Sequence, residues 1–538
     1  LQADVQDMQR AAADATVRLV HRSVIDPTDR DLERAGTLLA ASGAAALERG
    51  ALATAVENLQ RAVELLSDRN VMGEAETLLI RALELAGRVE DALAAGRRLL
   101  ARLETTGADV GRLVDVRLVL AQAAVSAARW PVAGMQLDAT RRLLAQVPDV
   151  ALSTRVSVLA AEVALARGEV DRGRDLVETV LRVRPATPDV RCHALQVLGR
   201  IERLADLGAA RDAFEGALAL AEAEDLPIRR LDALHELGTI EMFDHAGTTR
   251  LTQARRMAQQ LGALNTVAVL DIQLMATLHS RFALAEAEHH ARSALALSER
   301  LRLNAVRAKA LYGLAENRAM RRIPQEMESY LALTASAAPD DRALEAFGWG
   351  GCRGMLALLD DDWDAALECF DRAMVILRDV RHPEPLEFRA LWPLLLASRG
   401  DRRATQALEQ ARASNITLAF ANRGLLGYAD AIHPGRAGDS GRASDLARQA
   451  DAYLARFPPW GRLGGTWPDC WPPQPRWPTV GATRRCGCSR RAQPLPSTGS
   501  TGWRHDAIRP RLSPPPSLGS LRVSPPARAR SFGWSPRA

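Results

Sequence analysis

Lysine is almost missing from this chain: Lys309 is the only one among 70 basic residues, so arginine carries nearly all the positive charge. With the abundance of alanine, this points to a gene written in GC-rich codons. The absence also excludes a chemistry. A phosphate-binding loop of the Gly-Lys-Ser/Thr type needs a lysine to reach the phosphates. Lys309 sits instead in VRAKALYG, a helical stretch.

Aromatic residues make up only 4% of the 538 residues, so any core must be built from small and aliphatic side chains. Cysteine is scarce too. Cys192, Cys352 and Cys369 are scattered through helical sequence, as buried free thiols are. Cys470, Cys486 and Cys488 lie near the end. No disulfide framework follows from these spacings, and Cys486-Gly487-Cys488 lacks a second pair at zinc spacing. No apolar run is long enough to span a bilayer, and no secretory signal is recognisable. A cytoplasmic location is expected. The first residue is Leu1 rather than Met, which suggests a fragment or an internal start.

The formal charge of +5 hides a division. From Pro458 onward there are 13 arginines against Asp469 and Asp506. Removing them from the 70 basic and 65 acidic residues leaves 57 and 63. The preceding body is therefore mildly acidic and a poor surface for a nucleic acid, which needs clustered positive charge.

Alanine, leucine, arginine and glutamate dominate, and all are strong helix formers. No strand pattern of comparable length appears. In ALATAVENLQRAVELLS (51–67), Ala55, Leu59, Ala62, Val63 and Leu66 form one apolar stripe at spacings of three and four. The segment 73–87 repeats the style. The pair 159–168 and 169–181 follows, with Gly168 suited to a left-handed C-cap. The run DDWDAALECFDRAMVIL (361–377) opens on acidic residues that match the positive end of the helix dipole. Ala366, Phe370 and Ala373 lie on one of its faces. Residues 398–401 read as another hairpin turn. Helix pairs at intervals of about 34–40 residues are the mark of tetratricopeptide repeats. The reading is an all-α, tetratricopeptide-like right-handed superhelical solenoid of about ten or eleven hairpins, with a concave face for an effector or partner. Residues 1–30 are a helical lead-in, 31–457 the repeats, and 458–538 a disordered tail.

The tail holds 16 of the 28 prolines and 6 of the 10 tryptophans. Proline lacks the amide hydrogen that a helix needs. Read one frame over, its codons permit helical, proline-poor strings. They include LARLLAAAAALADGWGDP from 466 to 484 and LTPREGEVLRLVAEG near the end. A frameshift near 462–465 is expected, with a genuine low-complexity tail as the alternative. It would also explain why the tail's arginines and tryptophans imitate a nucleic-acid patch.

Four body segments resemble the helical region of large LuxR-family transcriptional regulators of actinobacterial, MalT-like type. They are ALHELGTIEM (233–242), FGWGGCRGMLALL (347–359), FRALWPLLLA (388–397) and ANRGLLGYADAI (421–432). The resemblance covers most of 209–457 and, more weakly, the chain before it. It implies a signal-sensing helical region lying between an ATPase domain and a helix-turn-helix. LTPREGEVLRLVAEG resembles the first helix of that DNA-binding domain. ATP would belong to the family's N-terminal domain, and no cofactor is expected in this chain. DNA would be contacted only through a C-terminal domain that is missing or scrambled here. A scaffold for protein–protein contacts unrelated to transcription is the alternative.

Single residues offer little chemistry. Glu286 and His290, four apart in AEAEHHARSAL, share a helix face and could share a metal, but no third ligand is near. His235-Glu236 opens like a zinc-protease motif, and Thr239 occupies the second histidine position. Trp349 stands among Gly348, Gly350 and Gly351, and glycine in a helix needs a reason. The reading preferred is tight packing between repeats, with a ligand groove as the rival. No catalytic, cofactor-binding or metal residue is assigned, and the chain is read as a non-enzyme. The effector- or partner-binding residues are unknown at this level.

Overall fold

A computed structural model of the protein describes residues 28–454, apart from 128, 184–185 and 381–384. The lead-in to residue 27, the tail from 455 and the frameshift reading lie outside the described residues. Those described form an all-α, tetratricopeptide-like solenoid. They contain 22 helices and no strand. None of these helices is long and apolar enough to cross a membrane.

The helices pair into eleven antiparallel hairpins. In order they are α1 (Asp29–Glu48) with α2 (Leu52–Leu65), α3 (Arg69–Leu85) with α4 (Val89–Thr106), and α5 (Val110–Ser126) with α6 (Trp130–Leu144). Next come α7 (Val150–Ala166) with α8 (Val170–Arg182), α9 (Pro188–Glu202) with α10 (Leu207–Ala223), and α11 (Pro227–His245) with α12 (Thr249–Leu261). Then follow α13 (Leu264–Ser280) with α14 (Leu284–Leu301), and α15 (Asn304–Met320) with α16 (Pro324–Ala337). Helix α17 runs Arg342–Phe347, passes through a π-helical stretch Gly348–Gly354, and ends as Met355–Leu359. It pairs with α18 (Trp363–Leu377). The last hairpins are α19 (Phe388–Arg399) with α20 (Ala404–Arg412), and α21 (Phe420–Arg436) with α22 (Ser440–Leu454). Odd-numbered helices also touch the next odd-numbered helix, so they form a continuous inner row.

Local rules explain the boundaries. Asp362 caps α18 by accepting from the Ala365 amide, and Asp364 follows in the first turn. Gly168 takes a left-handed φ of 79° just past α7, and Gly400 one of 68° after α19, as their positions in the sequence led one to expect. The expected stripe on α2 is real: Ala55, Leu59 and Ala62 are fully buried and Leu66 nearly so, while Val63 is half-buried. Ala366, Phe370 and Ala373 are fully buried on α18.

The scarcity of aromatics is answered by alanine. Even-numbered helices bury alanines completely, among them Ala92, Ala133, Ala217, Ala254 and Ala291. A methyl group on the contact face lets neighbouring helices approach closely, so the core is made of backbone proximity and leucine rather than rings.

Early hairpins also meet later ones. A Cβ placed on Gly50, after α1, would lie 2.7 Å from Leu261 Cδ2 at the end of α12. One on Gly87, after α3, would lie 2.4 Å from Asn265 Cβ at the start of α13. The first two hairpins thus pack on the sixth and seventh, closing a solenoid turn. Further along, Arg423 of α21 donates to the Asp244 carbonyl of α11 at 3.2 Å. Ser280 Oγ donates to Glu387 at 2.6 Å, linking residues 107 apart in sequence.

Candidate functional site

Closure of that turn leaves a cavity of about 850 Å³, lined by α1, α3, α5, α7, α9 and the first turns of α11 and α13. This volume lies within the range of small-molecule sites. Leu118, Val158, Leu159 and Trp130 supply apolar wall, and charged side chains occupy much of the rest.

The charges are organised by repeat spacing. Arg200 of α9 donates through Nη1 to Glu162 of α7 at 2.7 Å and through Nε to Glu236 of α11 at 2.6 Å. Arg203 Nη1 donates to the other Glu236 oxygen at 2.5 Å. Three consecutive inner helices are thereby tied at one level. At another level Arg229 of α11 holds Asp189 of α9 with two bonds, 2.8 and 3.2 Å long. Such forked arginine–carboxylate pairs are strong and directional. His193 Nε2 lies 3.2 Å from Glu162 Oε2, off the hydrogen-bonding line, so that oxygen keeps an unfilled acceptor direction.

Burial raises the cost of each carboxylate charge, and the arginines decide the outcome. Burial alone would push Glu162 up, but the charges of His193, Arg200 and Arg229 outweigh it and hold the group at about 2. Glu236 is likewise held at about 2 by Arg200 and Arg203 against burial. Asp189 is held at about 2 by Arg229 against burial. For Glu84 and Asp232 burial outweighs the neighbouring arginines and pushes both above the usual carboxylate range. The Glu84 carboxylate has the Ser126 hydroxyl as its hydrogen-bond donor.

A consequence for stability follows. Unfolded carboxylates titrate near pH ~4. The folded values of Glu162, Glu236 and Asp189 are depressed, so their contribution is present above that pH and lost as pH falls towards about 2. We expect the melting temperature to drop steeply between about pH 4 and pH 2, with a shallower slope in Glu162→Gln. A flat profile in the wild-type chain over that interval would contradict the assignment.

The residues singled out in the sequence fall elsewhere. His290 of α14 does not turn to Glu286: its Nδ1 lies 2.5 Å from Asp271 of α13. Asp271 is fully buried and also receives Arg255 of α12 and Ser293. Among the described residues no group of three or more metal-ligating side chains is assembled. Thr239 bonds back to the His235 carbonyl at 3.1 Å, while Glu236 serves the arginine ladder. Cys192 and Cys352 are buried and free, Cys369 is half-buried and free, and burial pushes the Cys192 thiol up to about 11. Lys309 lies within α15. Cys470, Cys486 and Cys488 lie outside the described residues.

The Trp349 segment is built for packing. Cβ atoms on Gly350, Gly351 and Gly354 would lie 2.4 Å from Phe388, 2.3 Å from the Tyr312 hydroxyl and 2.4 Å from Phe370. Trp349 itself has the Arg353 and Arg372 guanidiniums 4.4 and 3.8 Å from its ring centre. This is tight inter-repeat contact through a π-helical stretch, the preferred of the two readings.

The sequence reading missed the arginine ladder. A usable signal existed: Glu162, Arg200 and Glu236 are 38 and 36 residues apart, one repeat each, on successive inner helices.

No protein-family model matches the sequence, and no curated protein does. Among solved structures, a Rap protein complexed with competence and sporulation factor is similar at 14% identity and a TM-score of 0.43, over 72% of this chain and 99% of that one. NprR in complex with its cognate peptide NprX is similar at 11% identity and 0.42, over 66% and 99%. A signal-transduction ATPase with a tetratricopeptide repeat sensor from Pyrococcus horikoshii is similar at 13% and 0.40, over 60% of this chain and 52% of that one. Likeness this distant carries no argument about function.

Proposed function

We propose that this chain is the effector-sensing, helical-repeat region of a LuxR-family transcriptional regulator of MalT-like architecture. The observation that carries the sensing role is the cavity of about 850 Å³ inside one closed solenoid turn. Its lining comes from five inner helices and the first turns of two more, and it brings together residues nearly 220 positions apart, from Glu48 to Thr266. Binding there favours the closed turn over any arrangement in which the first hairpins part from α12 and α13. An effector shifts such a balance only by its preference for one arrangement, and a ligand that bridges the turn has that preference.

The regulator assignment rests on the four sequence segments that resemble the family. Within it, 31–457 are the repeats, and the chain works in the cytoplasm without a catalytic site of its own. DNA is reached through a C-terminal helix-turn-helix encoded in the shifted frame of 458–538, and ATP through a domain encoded upstream. Sequencing the gene from before the Leu1 codon to beyond the Ala538 codon tests this. The expected result is an ATPase domain upstream and a helix-turn-helix after a frame correction near 462–465. An intact frame with neither domain contradicts the regulator reading and leaves a helical-repeat binding scaffold.

A further inference from the structure

The arginines of the cavity are not equally engaged. Arg200 and Arg229 are each committed to two carboxylates. Arg81 of α3 lines the cavity and has no hydrogen-bond or ion-pair partner among the described residues. Arg155 of α7 lines it too, and its nearest carboxylate oxygen, on Asp115, is 3.8 Å away with no hydrogen bond. Two guanidiniums, that of Arg81 exposed and that of Arg155 partly exposed, thus border one open cavity without a hydrogen-bonded carboxylate, Arg155 keeping only its 3.8 Å ion pair with Asp115. Of the lining carboxylates, Glu162 and Asp189 are taken by Arg200 and Arg229, Asp232 is also paired with Arg229, and Glu48, Glu84 and Asp225 make no hydrogen bond to Arg81 or Arg155. Burial first, and then the charge of Arg81, lower the affinity of Arg155 for its proton.

We infer that Arg81 and Arg155 form the anchor for a small organic anion, presenting a carboxylate or a phosphate, whose apolar body lies against Leu118, Val158 and Trp130. This rests on the reading of the cavity as the effector site and names the chemical class of the effector. A guanidinium offers a planar fork that matches both oxyanions, and two forks from different helices fix the group between α3 and α7.

The test uses the full chain in four forms: wild type, Arg81→Ala/Arg155→Ala, Gln122→Trp and Arg172→Ala. Gln122 is a half-buried cavity residue whose enlargement fills the space. Arg172 lies exposed on α8, paired with Glu169, and serves as a control. Inorganic phosphate and succinate are titrated separately by calorimetry at matched chloride ionic strength, and Nile red reports apolar occupancy of the cavity. The expected result is saturable binding of at least one anion at one per chain, unchanged in Arg172→Ala. Binding weakens at least about tenfold in the double variant, since hydrogen bonds to charged groups are the strong class. Whichever anion binds tells phosphate from carboxylate. Absence of both, or equal binding by the double variant, overturns the anion anchor. If Nile red still binds wild type and the double variant but not Gln122→Trp, the cavity remains the effector site and only its chemistry is wrong. If Nile red is indifferent to Gln122→Trp, the cavity reading falls as well.

Discussion

Replacing Asp271 by alanine destabilises the centre of the solenoid by roughly 3–5 kcal/mol, the range for removing one partner from a buried ion cluster. Asp271 is fully buried on α13. Arg255 Nε and Nη2 reach it at 2.6 and 3.1 Å, Ser293 Oγ at 2.7 Å and His290 Nδ1 at 2.5 Å. One carboxylate therefore binds α12, α13 and α14 together. Without it a guanidinium and an imidazole, both about four-fifths buried, face each other with no counter-charge. The variant Asp271→Asn keeps one acceptor oxygen, turns the other into a donor and loses the charge, so it falls between wild type and alanine. Urea unfolding followed by far-ultraviolet circular dichroism measures the loss. Stacked repeats couple mainly to their neighbours, so the transition of the variant also broadens as the middle hairpins melt first. A loss below about 1 kcal/mol would mean that the cluster is no more than a surface ion pair.

Gly350→Ala costs about 1–3 kcal/mol, and Gly216→Ala moves stability the other way. Both glycines lie within helical segments, where alanine is intrinsically better by about 1 kcal/mol. Their surroundings decide the sign. A methyl at position 350 would lie 2.4–2.6 Å from three atoms of the Phe388 ring, which is itself 1% exposed and cannot move aside. Overpacking of that kind displaces side chains or backbone. At position 216, on α10, the nearest atom is Leu195 Cδ1 at 3.8 Å, an ordinary contact. A thermal melt of the two variants beside wild type reads both signs at once. Equal gains would mean that the π-helical stretch relaxes freely. Equal losses would mean that backbone packing around α10 is tighter than its distances indicate.

The sequence carried the architecture and not the site, for physical reasons. Helix and hairpin are local: apolar spacing, acidic first turns and Gly168 or Gly400 past a C-terminus are all visible within one repeat. The eleven hairpins fall within the ten or eleven that this periodicity led one to expect. Turn signals faded where Phe282, Arg322 and Asp361 adopt the left-handed conformation that glycine usually marks. The π-helical turn at 348–354 was marked only by its glycines, because the three rings packed against it come from α15, α18 and α19. Glu286 and His290 looked like a pair because they share a helix face. The stronger attraction comes from Asp271 on the preceding helix. The cavity is the least legible feature. It depends on α1 and α3 meeting α12 and α13, which no local pattern encodes, although the one-repeat spacing of Glu162, Arg200 and Glu236 hints at a charged inner row.

The central claim is that the closed turn holds a small effector. The direct measurement is equilibrium dialysis of the full chain against a bacterial metabolite extract, with the retained compounds read by mass spectrometry for wild type and Gln122→Trp. The account predicts a compound retained at about one per chain by the wild type and lost from the variant, whose new indole occupies the cavity. Retention of the same compounds by both, with both chains equally folded, would contradict it.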